Sequence, residues 1–425
     1  MIKLDDMRVK IAQNISTLEN NYERAYEYEK ELLKDAYPVT EHVGRELYKY
    51  RNVAFIFEGK DYYFHNVKQY DIGENAALSE DDYALIQGLH IEYCIFENCN
   101  FHNVVFKNCS FAGTKFDSCK FERVVFERCF FDIPVLELNG NIENDTYSAP
   151  TIFNKCFFTA DFRECRMEHV LVKKGCFTSS KLSGLSLRDS VMDTCTLYGL
   201  ELKDCSLEAF AVDHTDIMRI SFADERSSTV DENTIICYDL KAKKKDSGKR
   251  TDSGWIFEDY DDLCLDKARS LRNISRLFAA NGYPDYEGEY YYQSKKMELK
   301  GLHGFKRAKS VIALVLCGYG ERPSFTFYTI LISTLLFGII YMFTGVSIGE
   351  GDPIHYPISE GLSFGKVLAD YGRCVFFSIT TFSTVGYGNY VPDGPASMIG
   401  AGLHMFIGVS LCALWTGCIF RKFAR

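Results

Sequence analysis

A repeat of five residues is the feature of this sequence that most constrains its fold. Phenylalanine recurs at every fifth position of one stretch, and a small residue, most often cysteine, stands two positions before each. The phenylalanines are Phe96, Phe101, Phe106, Phe111, Phe116, Phe121, Phe126 and Phe131. The small residues are Cys94, Cys99, Val104, Cys109, Thr114, Cys119, Val124 and Cys129. Neither a helix nor a flat strand has this period, so only a coil that bends once in each repeat keeps these residues on one side.

This pattern strongly resembles the pentapeptide-repeat family. The resemblance implies a right-handed, four-sided β-helix, in which the large apolar residue and the small residue two before it both point inward. A polar insertion, residues 132–151, interrupts the phase, and we expect the repeat to return shifted by one. The expected inward residues are then Ile152, Phe157, Phe162, Met167, Val172, Phe177, Leu182, Leu187, Met192, Leu197, Leu202, Leu207, Val212, Ile217 and Phe222. Counting Ile91, the pattern predicts about six coils within residues 89–226.

The chain contains 16 cysteines. No secretory signal stands at the N-terminus, so we expect residues 1–300 to remain in a reducing cytosol, where disulfides are rare. A buried cysteine at the inward small position behaves as a compact hydrophobic residue. We therefore expect Cys99 and Cys119, on neighbouring coils, to pack without bonding, in preference to metal ligation or redox sensing.

A second motif, Thr-Thr-Phe-Ser-Thr-Val-Gly-Tyr-Gly at residues 380–388, lies between two long apolar stretches. It resembles the selectivity filter of potassium channels of the two-span pore class, a resemblance that covers residues 323–420. The implied permeant ion is K⁺, with no other cofactor. Its implied ligands are the backbone carbonyls of Thr384, Val385, Gly386 and Tyr387 and the hydroxyl of Thr384, with Gly388 completing the filter. Glycine is suited to positions 386 and 388 because it reaches positive φ without a Cβ clash.

The two apolar stretches predict membrane-spanning helices at about residues 323–349 and 394–420. Each stretch contains 27 residues without a charged side chain, counting histidine as neutral. At a rise of about 1.5 Å per residue, such a helix more than covers a hydrocarbon core of about 30 Å. A pore helix and filter are expected at about residues 371–388. The negative C-terminal end of that helix would favour a cation.

Basic residues predict the orientation of the spans. Many of them precede the first span or follow the second, whereas acidic residues exceed basic ones between the spans. The flanking bases are Lys295, Lys296, Lys300, Lys306, Arg307, Lys309, Arg322, Arg421, Lys422 and Arg425. We expect a multi-pass protein of the plasma or inner membrane with both termini in the cytosol.

Several residues near the spans allow two interpretations. Gly408 lies 22 residues after Gly386, where related channels often carry a hinge glycine, but close helix packing is equally expected. His404 is expected to pack between helices, with a proton-sensing role left open. Asn389 stands where most relatives have aspartate, which predicts a weaker attraction for incoming cations.

A second Gly-Tyr-Gly triplet, residues 318–320, lacks a threonine-rich segment before it and is expected to be a loop. The preceding segment, Ser310–Cys317, is apolar but too short to span a bilayer. It is expected to form either an interfacial helix or a plain linker helix.

Helical segments are predicted outside the repeats and the pore. The N-terminal region, residues 1–88, should begin with a solvated amphipathic helix at about residues 5–35. The linker region, residues 227–322, contains a basic stretch at 241–253, interpreted as a solvated linker in preference to a lipid site. A helical hairpin over residues 260–300 is expected to turn at Asn281-Gly282-Tyr283-Pro284.

Together these patterns predict a mixed fold: a cytosolic β-helix, a helical linker and an all-α pore domain at residues 323–425. One filter per chain implies a homotetramer in a lipid bilayer. The repeats should assemble or gate the pore, with an unknown cytosolic ligand or protein. The net charge of −10 disfavours a nucleic-acid partner. The alternatives are a membrane-anchored interaction protein and a channel-like transporter subunit. No catalytic constellation indicates an enzyme.

Overall fold

The computed structural model describes residues 4–44, 56–58, 61–74, 79–137, 145–224, 226–238, 260–349, 351–356 and 363–424. The chain forms two compact units, Met1–Gly301 and Leu302–Arg425. The first contains the repeats and the second contains the long apolar helices. The basic stretch predicted as a linker, residues 241–253, lies outside the described residues.

The repeat unit is built mainly from short strands. In chain order they are β1 Thr40–Val43, β2 Asp61–Tyr63, β3 His65–Lys68, β4 Asp71–Gly73, β5 Ala84–Gln87, β6 His90–Glu92, β7 Ile95–Glu97, β8 Asn100–Lys107, β9 Lys115–Asp117, β10 Lys120–Glu127, β11 Pro134–Glu137, β12 Asp145–Ser148, β13 Ile152–Asn154, β14 Phe157–Arg163, β15 Leu171–Lys173, β16 Cys176–Thr178, β17 Lys181–Ser183, β18 Val191–Asp193, β19 Thr196–Tyr198, β20 Glu201–Lys203, β21 Ala211–Met218, β22 Ser221–Phe222 and β23 Ile235–Tyr238.

Parallel pairing between successive coils confirms the predicted β-helix. Phe96 in β7 lies in register with Phe116 in β9, which lies in register with Phe153 in β13. The inward phenylalanines are 0–1 % exposed, and the cysteines two positions before them are buried as well. The five-residue period therefore encodes one side of a bending coil, as the sequence predicts.

The predicted phase after the insertion is wrong at its first two positions. Phe153 and Phe158 point into the core, whereas Ile152 and Phe157 lie one position outside it. The shift occurs later, because the step from Phe158 to Phe162 is four positions in place of five, and β10 carries a bulge between Glu122 and Val124 opposite this segment. From Phe162 onward the inward residues follow the predicted phase.

The β-helix also extends beyond the predicted residues 89–226 at both ends. An earlier coil pairs Tyr62 with Ile91 and Val67 with Phe96. At the other end, Ile236 pairs with Val212. These flanking coils lack the phenylalanine repeat that marks the central ones, so the sequence pattern did not reveal them.

In the insertion, β11 and β12 pair as antiparallel strands; residues 138–144 between them lie outside the described residues. The predicted N-terminal helix is confirmed as α1, Leu4–Leu33. It is not fully solvated, however. Ile11 and Leu18 are buried against an apolar row on the outer surface of the coils. The row comprises Ile152, Leu171, Val191, Ala211 and Ile235.

The predicted helical hairpin is confirmed as α2, Tyr260–Ala280, and α3, Pro284–Lys300. Leu271, Ile274 and Phe278 of α2 belong to the same buried cluster as the inward residues of the repeats. The Tyr290 hydroxyl of α3 donates a 3.0 Å hydrogen bond to the carbonyl of Ile236 in the last strand. The hairpin therefore completes the repeat core.

The described residues of the second unit form four α-helices: α4 Gly304–Cys317, α5 Pro323–Thr344, α6 Phe364–Phe382 and α7 Pro395–Phe423. Helices α5 and α7 are long and apolar enough to cross a membrane. Three strands form a small antiparallel sheet beside them: β24 Val346–Ile348, β25 Gly351–Ile354 and β26 Tyr390–Pro392.

Candidate functional site

The segment that leads into the candidate filter is helix α6. It begins at Phe364, seven residues before the predicted start, and its N-cap Ser363 accepts a hydrogen bond from the backbone N–H of Lys366. Two side chains fix α6 to α5. The hydroxyl of Ser378 donates to the carbonyl of Thr334 at 2.7 Å, and that of Tyr371 donates to the carbonyl of Leu335 at 3.2 Å. The end of α6, and hence the start of the filter, is positioned by these bonds.

The candidate filter itself is irregular backbone. Gly386 and Gly388 have φ values of 55° and 82°, in the left-handed region that glycine tolerates. Thr384 also has a positive φ, 58°, which the motif alone did not predict. The N–H of Val385 donates to the carbonyl of Thr380 at 3.0 Å, so the filter folds back on the last turn of α6. Val385 and Tyr387 are 53 % and 67 % exposed in the single chain.

Three aromatic rings surround the end of the filter. The ring of Tyr387 lies parallel to that of Phe376 on α6, with 6.1 Å between centroids. The ring of Tyr390 contacts Phe376 edge-on at 5.4 Å. Phe376 therefore touches both the filter and the strand that follows it, a role that no sequence pattern indicated.

Gly408 lies where the second apolar helix passes the base of the filter. A Cβ at this position would stand 2.3 Å from the carbonyl oxygen of Phe382, the last residue of α6. The glycine therefore allows a close approach between α7 and α6. This contact supports the packing interpretation, and the hinge role of Gly408 stays a prediction.

His404 is fully buried behind the filter region. Its ring stacks on Phe337 at 3.8 Å between centroids, and its Nδ1 lies 3.2 Å from the hydroxyl of Tyr341. These contacts with α5 agree with the packing interpretation. A proton-sensing role remains a prediction.

The second Gly-Tyr-Gly triplet is a short 3-10 turn between α4 and α5, so the loop interpretation is confirmed. Glu321, which follows it, forms a 2.8 Å ion pair with Arg421 at the end of α7. The triplet thus joins three helices at one corner and is no part of the filter. Helix α4 itself is largely exposed; its location at a membrane interface remains a prediction.

The repeat unit offers fewer candidates. Among the described residues there is no group of three or more His, Cys, Asp or Glu side chains that could hold a metal ion. Burial raises the pKa of Cys94, Cys195 and Cys237 to about 12, which keeps these thiols protonated and unreactive. The cysteines are free of disulfides and mostly buried, as the packing interpretation requires.

Comparisons with known proteins agree with this division of the chain. Residues 329–425 match the family model described as "Ion channel", and residues 90–131 match eight copies of the pentapeptide repeat. Residues 329–425 therefore resemble an ion-channel domain, and residues 90–131 resemble a pentapeptide-repeat domain. The channel match and the two apolar helices indicate a membrane protein.

Particular relatives match only in part. Voltage-gated potassium channel regulatory subunit KCNG1 from Homo sapiens is 28 % identical over 89 residues, 21 % of this chain and 17 % of the relative. The Mus musculus protein gives the same figures. The chain thus matches less than a fifth of those channels' length. A structure of QnrB1, a plasmid-mediated fluoroquinolone resistance protein, aligns at 17 % identity and a TM-score of 0.20, covering 36 % of this chain and 79 % of QnrB1. The β-helix assignment itself depends on the strand register described above.

Proposed function

We propose that this protein is a potassium-selective channel whose filter is formed by residues 384–388. The observation that carries the proposal is the backbone of this segment: left-handed φ at Thr384, Gly386 and Gly388, directly after a helix held between two apolar helices. A dehydrated K⁺ ion needs a ring of oxygens, which backbone carbonyls supply when the chain can turn them toward one axis.

The channel is proposed to be a homotetramer, because each chain contributes one filter and the ion requires rings of four carbonyls. The exposure of Val385 and Tyr387 in the single chain supports this assembly, since these apolar and aromatic side chains would gain partners there. The basic residues flanking the two spans support an orientation with both termini in the cytosol of a plasma or inner membrane.

Selectivity tests this proposal directly. Purified full-length protein in a lipid bilayer should pass K⁺ and Rb⁺ far better than Na⁺, measured as a shift in reversal potential when one ion replaces another. Comparable permeability for Na⁺ and K⁺ would contradict the proposal.

A glycine pair supplies the matched control. Gly386→Ala should abolish conduction while the protein still assembles, since alanine is strained at a φ of 55°. Gly402→Ala should conduct normally, because that glycine lies in α7 and a Cβ there would meet nothing within 4 Å. Equal currents from the two variants would argue against the filter assignment.

The repeat unit is proposed to assemble or to gate the pore, and the two roles make different predictions. Because α2 and α3 share the repeat core, a clean deletion should remove residues 1–301 as a whole. Unchanged open probability over the conditions that modulate the full-length channel would contradict a gating role. Loss of the tetramer would favour the assembly role, and a folded unit 1–301 would then be expected to self-associate.

A further inference from the structure

The segment directly after the candidate filter is fixed by backbone hydrogen bonds to the loop that follows the first apolar helix. β26, Tyr390–Pro392, pairs antiparallel with β24, Val346–Ile348. At one end the N–H of Gly349 donates to the carbonyl of Asn389 at 3.2 Å. At the other end the N–H of Asp393 donates to the carbonyl of Gly345 at 3.1 Å. The exit of the filter therefore cannot move without breaking this sheet.

Gly345 is the point on which the pairing depends. Its φ is 101°, and a Cβ there would stand 2.9 Å from the carbonyl oxygen of Asp393. Its own carbonyl also accepts a 2.6 Å hydrogen bond from the hydroxyl of Ser397 at the start of α7. Any larger residue at position 345 would push the strand after the filter away from the loop.

One side chain of this strand connects the sheet to the filter. Tyr390 is partly buried against the cluster that includes Tyr341 and Phe377, and its ring contacts Phe376. Phe376 in turn lies parallel to Tyr387 of the filter. Displacing Tyr390 would therefore remove the support behind the ring that Tyr387 faces.

We propose that β24, β25 and β26 form a strap that positions the end of the filter, with Tyr390 and Gly345 as its positioning residues. The inference rests on the proposed function of residues 384–388. Left-handed backbone such as that of Gly386 and Gly388 persists when its surroundings hold it, and selective coordination needs the filter carbonyls held around the ion. The strap supplies that restraint from within the same chain.

Selectivity and current stability of the full-length channel in a bilayer test the strap. Tyr390→Ala should lower the K⁺ to Na⁺ permeability ratio several-fold and make the K⁺ current decay faster. Higher K⁺ should slow that decay, because ion binding stabilises the ordered filter by mass action. Tyr390→Phe keeps the ring and should behave as wild type. Val391→Ala, on the same strand but 45 % exposed, should also leave both quantities unchanged.

Gly345→Ala displaces the same strand by another route and should reproduce the phenotype of Tyr390→Ala. It also covers the case in which Tyr390→Ala does not assemble, as judged by size-exclusion chromatography. Wild-type selectivity in Gly345→Ala or in an assembled Tyr390→Ala would overturn the strap while leaving the filter assignment intact. A wild-type channel that does not discriminate K⁺ from Na⁺ would instead contradict the proposed function itself.

Discussion

The two halves of the β-helix have the same coil but different cores. In the first half, phenylalanine rings of successive coils stack face to face. Their centroids lie 4.7 Å apart for Phe101 and Phe121 and 5.0 Å apart for Phe121 and Phe158. In the second half, leucine, methionine and valine replace them, and the last stack joins Phe158 to Phe177 at 4.3 Å.

The aliphatic half contains an apolar cavity. Its volume is about 30 Å³, and it is lined by leucines and other apolar residues, Leu197 and Leu202 among them. The backbone sets neighbouring strands about 4.7–4.9 Å apart. Flat rings can stack face to face near that spacing, whereas branched aliphatic side chains cannot stack in this way. The comparison indicates that the five-residue repeat determines the path of the backbone. The choice of aromatic or aliphatic inward residues determines how the interior is packed.

The largest effect is expected from placing a charge in the aromatic half. Phe116→Arg should prevent folding of the repeat unit, residues 1–301, because a guanidinium would be buried there without a partner. Lys115→Glu, one position away and pointing outward, should fold normally. Circular dichroism during thermal unfolding measures both, and similar melting temperatures would mean that the assigned phase is wrong.

Alanine substitutions should cost more stability in the aromatic half than in the aliphatic half. Phe116→Ala should lower the free energy of unfolding by about 3–5 kcal/mol. Leu197→Ala should cost about 2–3 kcal/mol, near the low end for leucine, because its neighbours already lose contacts at the cavity. Denaturant titration of unit 1–301 gives both values. A larger loss for Leu197→Ala would break the proposed contrast.

Exchanging aromatic and aliphatic side chains between the two halves should exchange their packing behaviour. Leu197 lies in register with Phe177, so Leu197→Phe should extend the stack into the cavity and stabilise the unit by up to about 1 kcal/mol. The reverse change, Phe121→Leu, should destabilise it by about 1–2 kcal/mol. If both substitutions destabilise equally, the cavity is not the reason for the difference.

The smallest effect concerns pH at the junction of the halves. Nδ1 of His169 lies 3.2 Å from the nearly buried carboxylate of Asp132, with Arg166, Glu168 and Asp189 around them. The hydrogen bond to Asp132 raises the pKa of His169. This contribution to stability is complete below about pH 6.5, the usual pKa of histidine, and is lost as pH rises through the higher folded value. The unfolding free energy of His169→Gln should lack that decline above about pH 6.5.

The sequence predicted the coil but not where its phase changes. Ile152-Phe153 and Phe157-Phe158 are both apolar pairs, so either member could point inward. Ile152 is apolar because α1 covers it, a tertiary reason that a local period cannot express. The sequence likewise showed that α1 is amphipathic but not which surface its apolar side would cover.

At the candidate site, the motif predicted left-handed backbone at Gly386 and Gly388, which the structure has; the filter assignment of residues 384–388 stays a proposal. The motif did not predict the positive φ of Thr384 or the contacts of Phe376. The contact between Phe376 and Tyr390 involves a strand that pairs with residues 346–348, and neither segment has a strand pattern strong enough to be recognised.

The four-residue step between Phe158 and Phe162 has a consequence for folding. In a perfectly periodic solenoid, sliding one part past another by a whole coil preserves every inward contact, so many misaligned states have nearly equal energy. The short step, with the bulge at Arg123 opposite it, fits at only one position. The irregular step therefore fixes the register of the coils. It makes the native register lower in energy than the registers in which the coils are shifted.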